Sequence, residues 1–228
     1  MADSSNSGQG KYFDLIGMAF IAVLLVSTIA AQKLFVVGPL VLPAGILLFP
    51  LAYIFGDVLT EVYGYARSRR IVWMGFAMSL MMAMVFTIAV ALPPAPGWPM
   101  QESFAAVLGF VPRVVFASLI AYLCGEFVNA YVLAKMKVRT AGKHLWMRTI
   151  GSTLIGEGID TAIFMTIAFA GVLPMPVLLL ALLSSYLVKV SYEIAATPIT
   201  YLVVNALKRA EGVDHYDVGT DFNPFRLD

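Results

Sequence analysis

Long runs of apolar residues, separated by short polar or proline-rich connections, set the pattern of this chain. The hydrocarbon core of a bilayer is about 30 Å thick and a helix rises about 1.5 Å per residue, so a spanning helix needs about 20 mainly apolar residues. Six segments qualify. The first runs from Tyr12 to Gln32 with Asp14 as its charged residue, and the second from Leu40 to Tyr63 with Pro43 and Pro50 inside it. The third, Ile71 to Leu92, carries no charge. The stretch from Pro93 to Pro99 must turn, because proline lacks the N–H that a continuing helix requires. The apolar signal beyond it is too long for one span and divides into an interfacial piece, Ser103 to Phe110, and a fourth helix from Val111 to about Leu133. The fifth runs from Thr149 to Gly171, and the sixth from Val177 to Asn205, tilted or bent near Pro198. The predicted fold is an all-α polytopic membrane protein with six transmembrane helices. Its domain covers residues 12–207, between a disordered tail (1–11) and an acidic tail (208–228).

Composition agrees with this pattern. Apolar residues make up 60% of the chain and charged residues 13%, against about 45–50% and about 25% in soluble domains. Lipid is the expected solvent. The net charge of +1 lacks the basic footprint of a nucleic-acid binder. A single cysteine, Cys124, excludes an internal disulfide framework. Met1 to Gly10 lacks the basic start of a cleavable signal peptide, so the first apolar segment is expected to be retained as a helix.

Basic residues orient the spans, since cytoplasmic loops are enriched in Lys and Arg. Arg67, Arg69 and Arg70 follow the second span, Lys135, Lys137, Arg139, Lys143 and Arg148 follow the fourth, and Lys208 and Arg209 follow the sixth. The opposite connections carry Lys33. Both termini are therefore expected in the cytoplasm.

Ionisable residues inside the spans carry the candidate chemistry. Each costs about 2.5–3.5 kcal/mol at the bilayer centre on insertion scales, and such residues face cavities or partners. Asp57 and Glu61, Glu157 and Asp160, and Lys189 and Glu193 are pairs three or four apart, so each pair shares a helix face. Glu126 lies on the fourth span and Arg113 near its outer end. Glu157 and Asp160 fall about 12–17 Å past Thr149, and Lys189 about 18 Å past Val177, so the fifth and sixth helices can bring them to one level. Two readings stand side by side: a buried ion pair that fixes helix packing, or a ligand site in which surplus carboxylates await a donor. Glu61 also fits an interfacial partner of Arg67, and Arg113 fits snorkelling to headgroups.

A small residue followed by an acid recurs at Gly56-Asp57, Gly125-Glu126 and Gly156-Glu157, each with a polar residue three positions after the acid. Helices of opposite direction carry the first and third copies, as an inverted three-plus-three repeat would require. Tyr53, Tyr63, Tyr122, Phe164, Tyr186 and Tyr192 lie near the acids and offer stacking faces or hydroxyls to a planar ligand. The chain has no P-loop, no G-x-S-x-G and no H-E-x-x-H, and both histidines, His144 and His215, lie outside the spans. No cofactor or metal is expected. Ser185 and Lys189 share a face, but nearby carboxylates would keep that lysine charged and unfit as the base of a hydrolase.

The residues Asp57 to Gly64 (DVLTEVYG) with Ala66-Arg67 and Arg69-Arg70, Ser152 to Thr161 (STLIGEGIDT), and Lys189 to Glu193 (KVSYE) ending in Pro198 resemble the queuosine precursor transporter family, part of the wider vitamin uptake transporter group. The likeness runs from Lys11 to about Lys208. It implies import of 7-deazaguanine compounds across the cytoplasmic membrane. A guanine-like edge, with an N–H beside an amine, suits a carboxylate that accepts twice, and an aminomethyl group would add a cation for a second acid. The substrate-binding candidates are Asp57, Glu126, Glu157, Asp160, Lys189, Glu193 and Tyr192. The expected partners are a small deazapurine and membrane lipid, with no nucleic acid; a homo-oligomer stays open. A stand-alone secondary carrier is the first expectation. The alternative is a substrate-binding subunit that needs separate ATPase and coupling subunits.

Overall fold

The computed structural model describes residues 10–139, 145–212, 223 and 225. The chain forms α1 (Phe13–Ala30), a hairpin of β1 (Leu34–Val37) and β2 (Leu40–Pro43), and a 3₁₀ turn (Ala44–Leu47). Then come α2 (Phe49–Tyr63), α3 (Tyr65–Ala91), α4 (Gln101–Leu108), α5 (Val111–Arg139), α6 (Leu145–Phe169) and α7 (Met175–Glu211). Among the described residues, five stretches are long and apolar enough to cross a membrane: α1, α3, Gln101–Gly125, the Ile150–Phe169 part of α6, and α7.

The second span differs from the expectation of a helix from Leu40. Leu40 to Pro43 pair antiparallel with Leu34 to Val37 around a two-residue turn, which Gly38 permits with a φ of 56°. Pro43 lacks an N–H, and Pro50 falls in the first turn of α2, where its missing donor costs nothing. The helix therefore starts at Phe49 and has 15 residues, about 22 Å. The hairpin before it is seated on protein. Its strand β2 packs on α7, and the Val41 N–H donates to the Ser184 hydroxyl at 3.3 Å. Gly45 presses against α1, where a Cβ would stand 2.6 Å from the Ser27 carbonyl oxygen, and the Ser27 hydroxyl donates to the Gly45 carbonyl at 3.0 Å. Non-helical backbone is tolerated at membrane depth where protein covers it, as it covers Leu42 and Pro43 of β2, whereas Val36 and Val37 of β1 are exposed.

A single residue joins α2 to α3. Gly64, at a φ of 87°, reverses the chain, so Arg67, Arg69 and Arg70 lie in the first turns of α3 rather than in a loop. Arg70 is exposed there and Arg67 half-buried, whereas Arg69 is buried and donates to the Asn223 carbonyl. The last helix also outruns its expected end at Asn205. It continues to Glu211 and stops at Gly212 in the left-handed region, a common C-terminal cap. At 37 residues it is about 55 Å long, well beyond the hydrocarbon thickness. The expected tails fall largely outside the described residues, as do the side chains of Lys135, Lys137, Arg139, Lys143 and Arg148.

Contacts join α2 to α7, α7 to α6, α6 to α5, α5 to α3 and α3 back to α2, with α1 against α2 and α3. The tightest seam lies between α5 and α6. A Cβ on Gly125 would stand 2.9 Å from Asp160 Cβ, and one on Gly156 would stand 2.9 Å from Asn129 Cβ. Two of the three recurring glycines thus serve helix approach, whereas Gly56 faces open space with nothing within 4 Å. At the end bearing most of the basic residues, Val58, Leu59, Val62 and Tyr63 of α2 are buried with Phe20, Ile71 and Val204.

Candidate functional site

Lys189 on α7 sits between two carboxylates of α6. Its ammonium is 3.0 Å from Glu157 Oε2 and 2.8 Å from Asp160 Oδ2. The three-residue spacing on α6 puts both acids on the face turned toward α7, so one cation serves two anions. All three side chains are at most 22% exposed. Helix α2 completes the arrangement from the third side. The Tyr53 hydroxyl donates to Glu157 Oε1 at 2.6 Å, and the Lys189 ammonium lies 4.7 Å from the centre of the Phe49 ring, a cation–π contact. Phe49 and Tyr53 are four apart and their rings are 4.6 Å from centre to centre. Every member of the group is thereby held by at least one other.

One turn further along α7, Glu193 is buried and hydrogen-bonded to Thr153 of α6. It lies within electrostatic reach of Glu157 and of Asp57. Asp57 is exposed on the open face of α2 that also carries Gly56 and Thr60. The charged group therefore extends from the Lys189 level toward the basic end of the bundle.

The remaining candidates lie elsewhere. Glu126 is on α5, with its side chain outside the described residues. Tyr192 is 46% exposed and lines a cleft of about 330 Å³ with Leu40, Leu187 and Val188, apart from the carboxylates. Glu61 pairs with Lys208 at 2.8 Å. Arg113 turns inward and caps the end of α6, donating to the Ile167 carbonyl at 2.7 Å and to the Ala170 carbonyl. Capping satisfies carbonyls that a helix end leaves bare, which snorkelling would not. Among the aromatics, Tyr122 packs on Phe76 and Phe164 on Phe169, while the Tyr186 hydroxyl donates to the Leu154 carbonyl. Tyr63 belongs to the basic end, where its hydroxyl donates to Glu211 at 2.8 Å. Phe49 and Thr153 were not anticipated. The available signal was spacing: each precedes a site residue, Tyr53 or Glu157, by one helical turn on the same face.

Ser185 is buried with its hydroxyl unpartnered, and Lys189 is occupied by two acids. A lysine so held is charged and cannot take a proton from a serine. No group of three or more His, Cys, Asp or Glu suited to a metal occurs among the described residues.

Apolar spans packed around a buried, hydrogen-bonded cluster of charge mark a multi-pass membrane protein. The family model described as "Putative vitamin uptake transporter" matches residues 43–203, and the chain belongs to that transporter family. It is 34% identical over 146 residues to the "Probable queuosine precursor transporter" of Bacillus subtilis (strain 168), covering 64% of each chain. It is 26% identical over 121 residues to the "Queuosine precursor transporter" of Escherichia coli (strain K12), covering 53% of this chain and 52% of that one. It is 26% identical over 125 residues to the "Probable queuosine precursor transporter" of Haemophilus influenzae, covering 55% of this chain and 51% of the relative. The matches thus span less than two thirds of these relatives. No solved structure matches the chain.

Proposed function

We propose that this protein imports queuosine precursors, 7-deazaguanine derivatives, across the cytoplasmic membrane as a stand-alone secondary carrier. The observation that carries the proposal is the sharing of Lys189 between Glu157 and Asp160 beneath the Phe49 and Tyr53 rings. The names of the three relatives supply the substrate class. A guanine-type edge offers two parallel N–H donors, and Asp160 accepts both once Lys189 turns to the ring carbonyl oxygen. Glu157 stays tied to Tyr53, and Asp57 meets an aminomethyl cation on the open side. Phe49 supplies the flat face against which the bicycle stacks.

The proposed architecture has six crossings, with the hairpin and α2 together serving as the second. A discontinuous crossing of this kind is a recurrent feature of carriers and would place a helix start near the site. An inverted repeat relating α2 to α6 belongs to the same proposal. The basic end faces the cytoplasm, with both termini there, and lipid surrounds the exposed apolar faces.

Expression of this chain alone, in a bacterium lacking both queuosine synthesis and its own importer, tests the proposal. Added 7-aminomethyl-7-deazaguanine or 7-cyano-7-deazaguanine should restore queuosine in tRNA. Failure of both in cells whose membranes contain the protein would remove the stand-alone carrier.

A further inference from the structure

Lys189 is shared by Glu157 and Asp160, and it is the only cation in a salt bridge with this cluster among the described residues. Glu193 is a third carboxyl group in the same place, 9% exposed, and it is drawn into none of those ion pairs. Its hydrogen-bond partner is the neutral Thr153 hydroxyl of α6. Among the described residues, the titratable groups that act on it from neighbouring helices are acidic, Asp57 and Tyr53 from α2 and Glu157 from α6, while Lys189, one turn away on its own helix, is held by Glu157 and Asp160. An anion so placed lacks compensation in a low-dielectric interior, whereas a neutral acid satisfies itself with one hydroxyl.

The path to Glu193 is polar on the basic side. Asp57 is exposed beside Gly56, which faces open space, so one wall of the site is open to a proton donor. On its own helix, Glu193 stands one turn from Lys189, and its backbone carbonyl accepts from the Thr197 hydroxyl at 2.7 Å. Pro198 follows at once and removes an N–H from the ladder of α7. The carboxyl group thus sits about one turn before the N–H that Pro198 removes and beside the site that substrate would fill.

From this arrangement we infer that Glu193 carries the proton that couples substrate movement to the transmembrane pH difference. The inference rests on the carrier reading above and gives it an energy source. Glu193 takes a proton from the acidic compartment, crosses the transport step neutral, and releases the proton to the other side as substrate leaves. Glu157 and Asp160 remain tied to Lys189 or to substrate and do not exchange protons in the cycle. A pH difference of about 1 unit then sustains at most about tenfold accumulation for one proton per substrate.

The test uses the full chain in proteoliposomes, with the membrane potential clamped and protein-free vesicles subtracted. Counterflow of labelled 7-cyano- or 7-aminomethyl-7-deazaguanine is measured first, then accumulation under an imposed pH difference. The wild-type protein should show both, and a protonophore should abolish accumulation alone. Glu193→Gln, a fixed stand-in for the neutral acid, should keep counterflow and lose accumulation at least fivefold. Accumulation that survives in this variant, or a wild-type carrier indifferent to the pH difference, overturns the coupling role and leaves the carrier standing. Loss of counterflow in well-folded Glu193→Gln overturns it too, by placing Glu193 in substrate binding. Absence of counterflow in the wild-type protein removes the carrier and the coupling together. Thr153→Ala provides a second variant should the first fail to reconstitute. It removes the hydroxyl from the carboxyl group and should displace the pH profile of accumulation by about half a unit or more, and an unmoved profile overturns the proposal.

Discussion

At the scale of single residues, Lys189 decides what the site tolerates. Removing one partner of a buried ion pair costs about 3–5 kcal/mol, because the remaining charge is left uncompensated, whereas replacing the whole group by neutral residues is often close to neutral. Lys189→Ala should therefore unfold in detergent at markedly lower temperature than the wild-type protein. Lys189→Met combined with Glu157→Gln and Asp160→Asn should regain most of that loss, yet neither variant should take up substrate. Thermal unfolding read beside uptake separates the two roles. Recovery of uptake in the triple variant would show that the charges hold the helices together and nothing more. Glu61 and Lys208 form the contrasting case. The carboxylate is 57% exposed, and a pair so open to water contributes at most about 1 kcal/mol.

At the scale of elements, close approach of α5 and α6 fixes the position of Asp160. Its Cβ is the atom that a side chain on Gly125 would strike, so a change there moves a site residue as well as a seam. Gly156→Val should cost about 1–3 kcal/mol through overpacking, while Gly56→Ala on the open face should raise stability by up to about 1 kcal/mol through helix propensity. Unfolding midpoints of the two variants check both signs, and equal effects would contradict the seam. Sequence alone made much of this legible. The spacing of Glu157 and Asp160, and the depth of Lys189 from the opposite end, brought the three to one level because helical rise is regular. The hairpin was not legible, since Leu34 to Pro43 is apolar throughout and shows no alternation. A short apolar run does not distinguish a strand from part of a helix. Tyr192 lies apart from the carboxylates for a related reason. It adjoins Glu193 in sequence, but a step of one residue turns about 100° around a helix, and it carried the ring out of the cluster.

At the scale of the whole molecule, the two ends of the described chain meet. Glu211, the last residue of α7, accepts from the Lys11 and Tyr12 backbone N–H groups at 2.6 and 2.7 Å, as well as from Tyr63. It thus supplies the cap that the start of α1, lacking a side-chain cap of its own, would otherwise miss. Glu211→Ala should lower stability by about 1 kcal/mol and hasten hydrogen exchange at residues 11 and 12, whereas exchange within α6 stays unchanged. Mass spectrometry of deuterated peptides reads both, and unaltered exchange at the start of α1 would sink the capping role. The same contact orders events at the ribosome. The first helix forms with these N–H groups bonded to water, and its protein acceptor is synthesised 200 residues later. Until translation reaches that residue every nascent chain has an unfastened first helix, so a chain truncated before it would present a frayed end to membrane proteases, while a tag fused beyond it leaves the fastening intact.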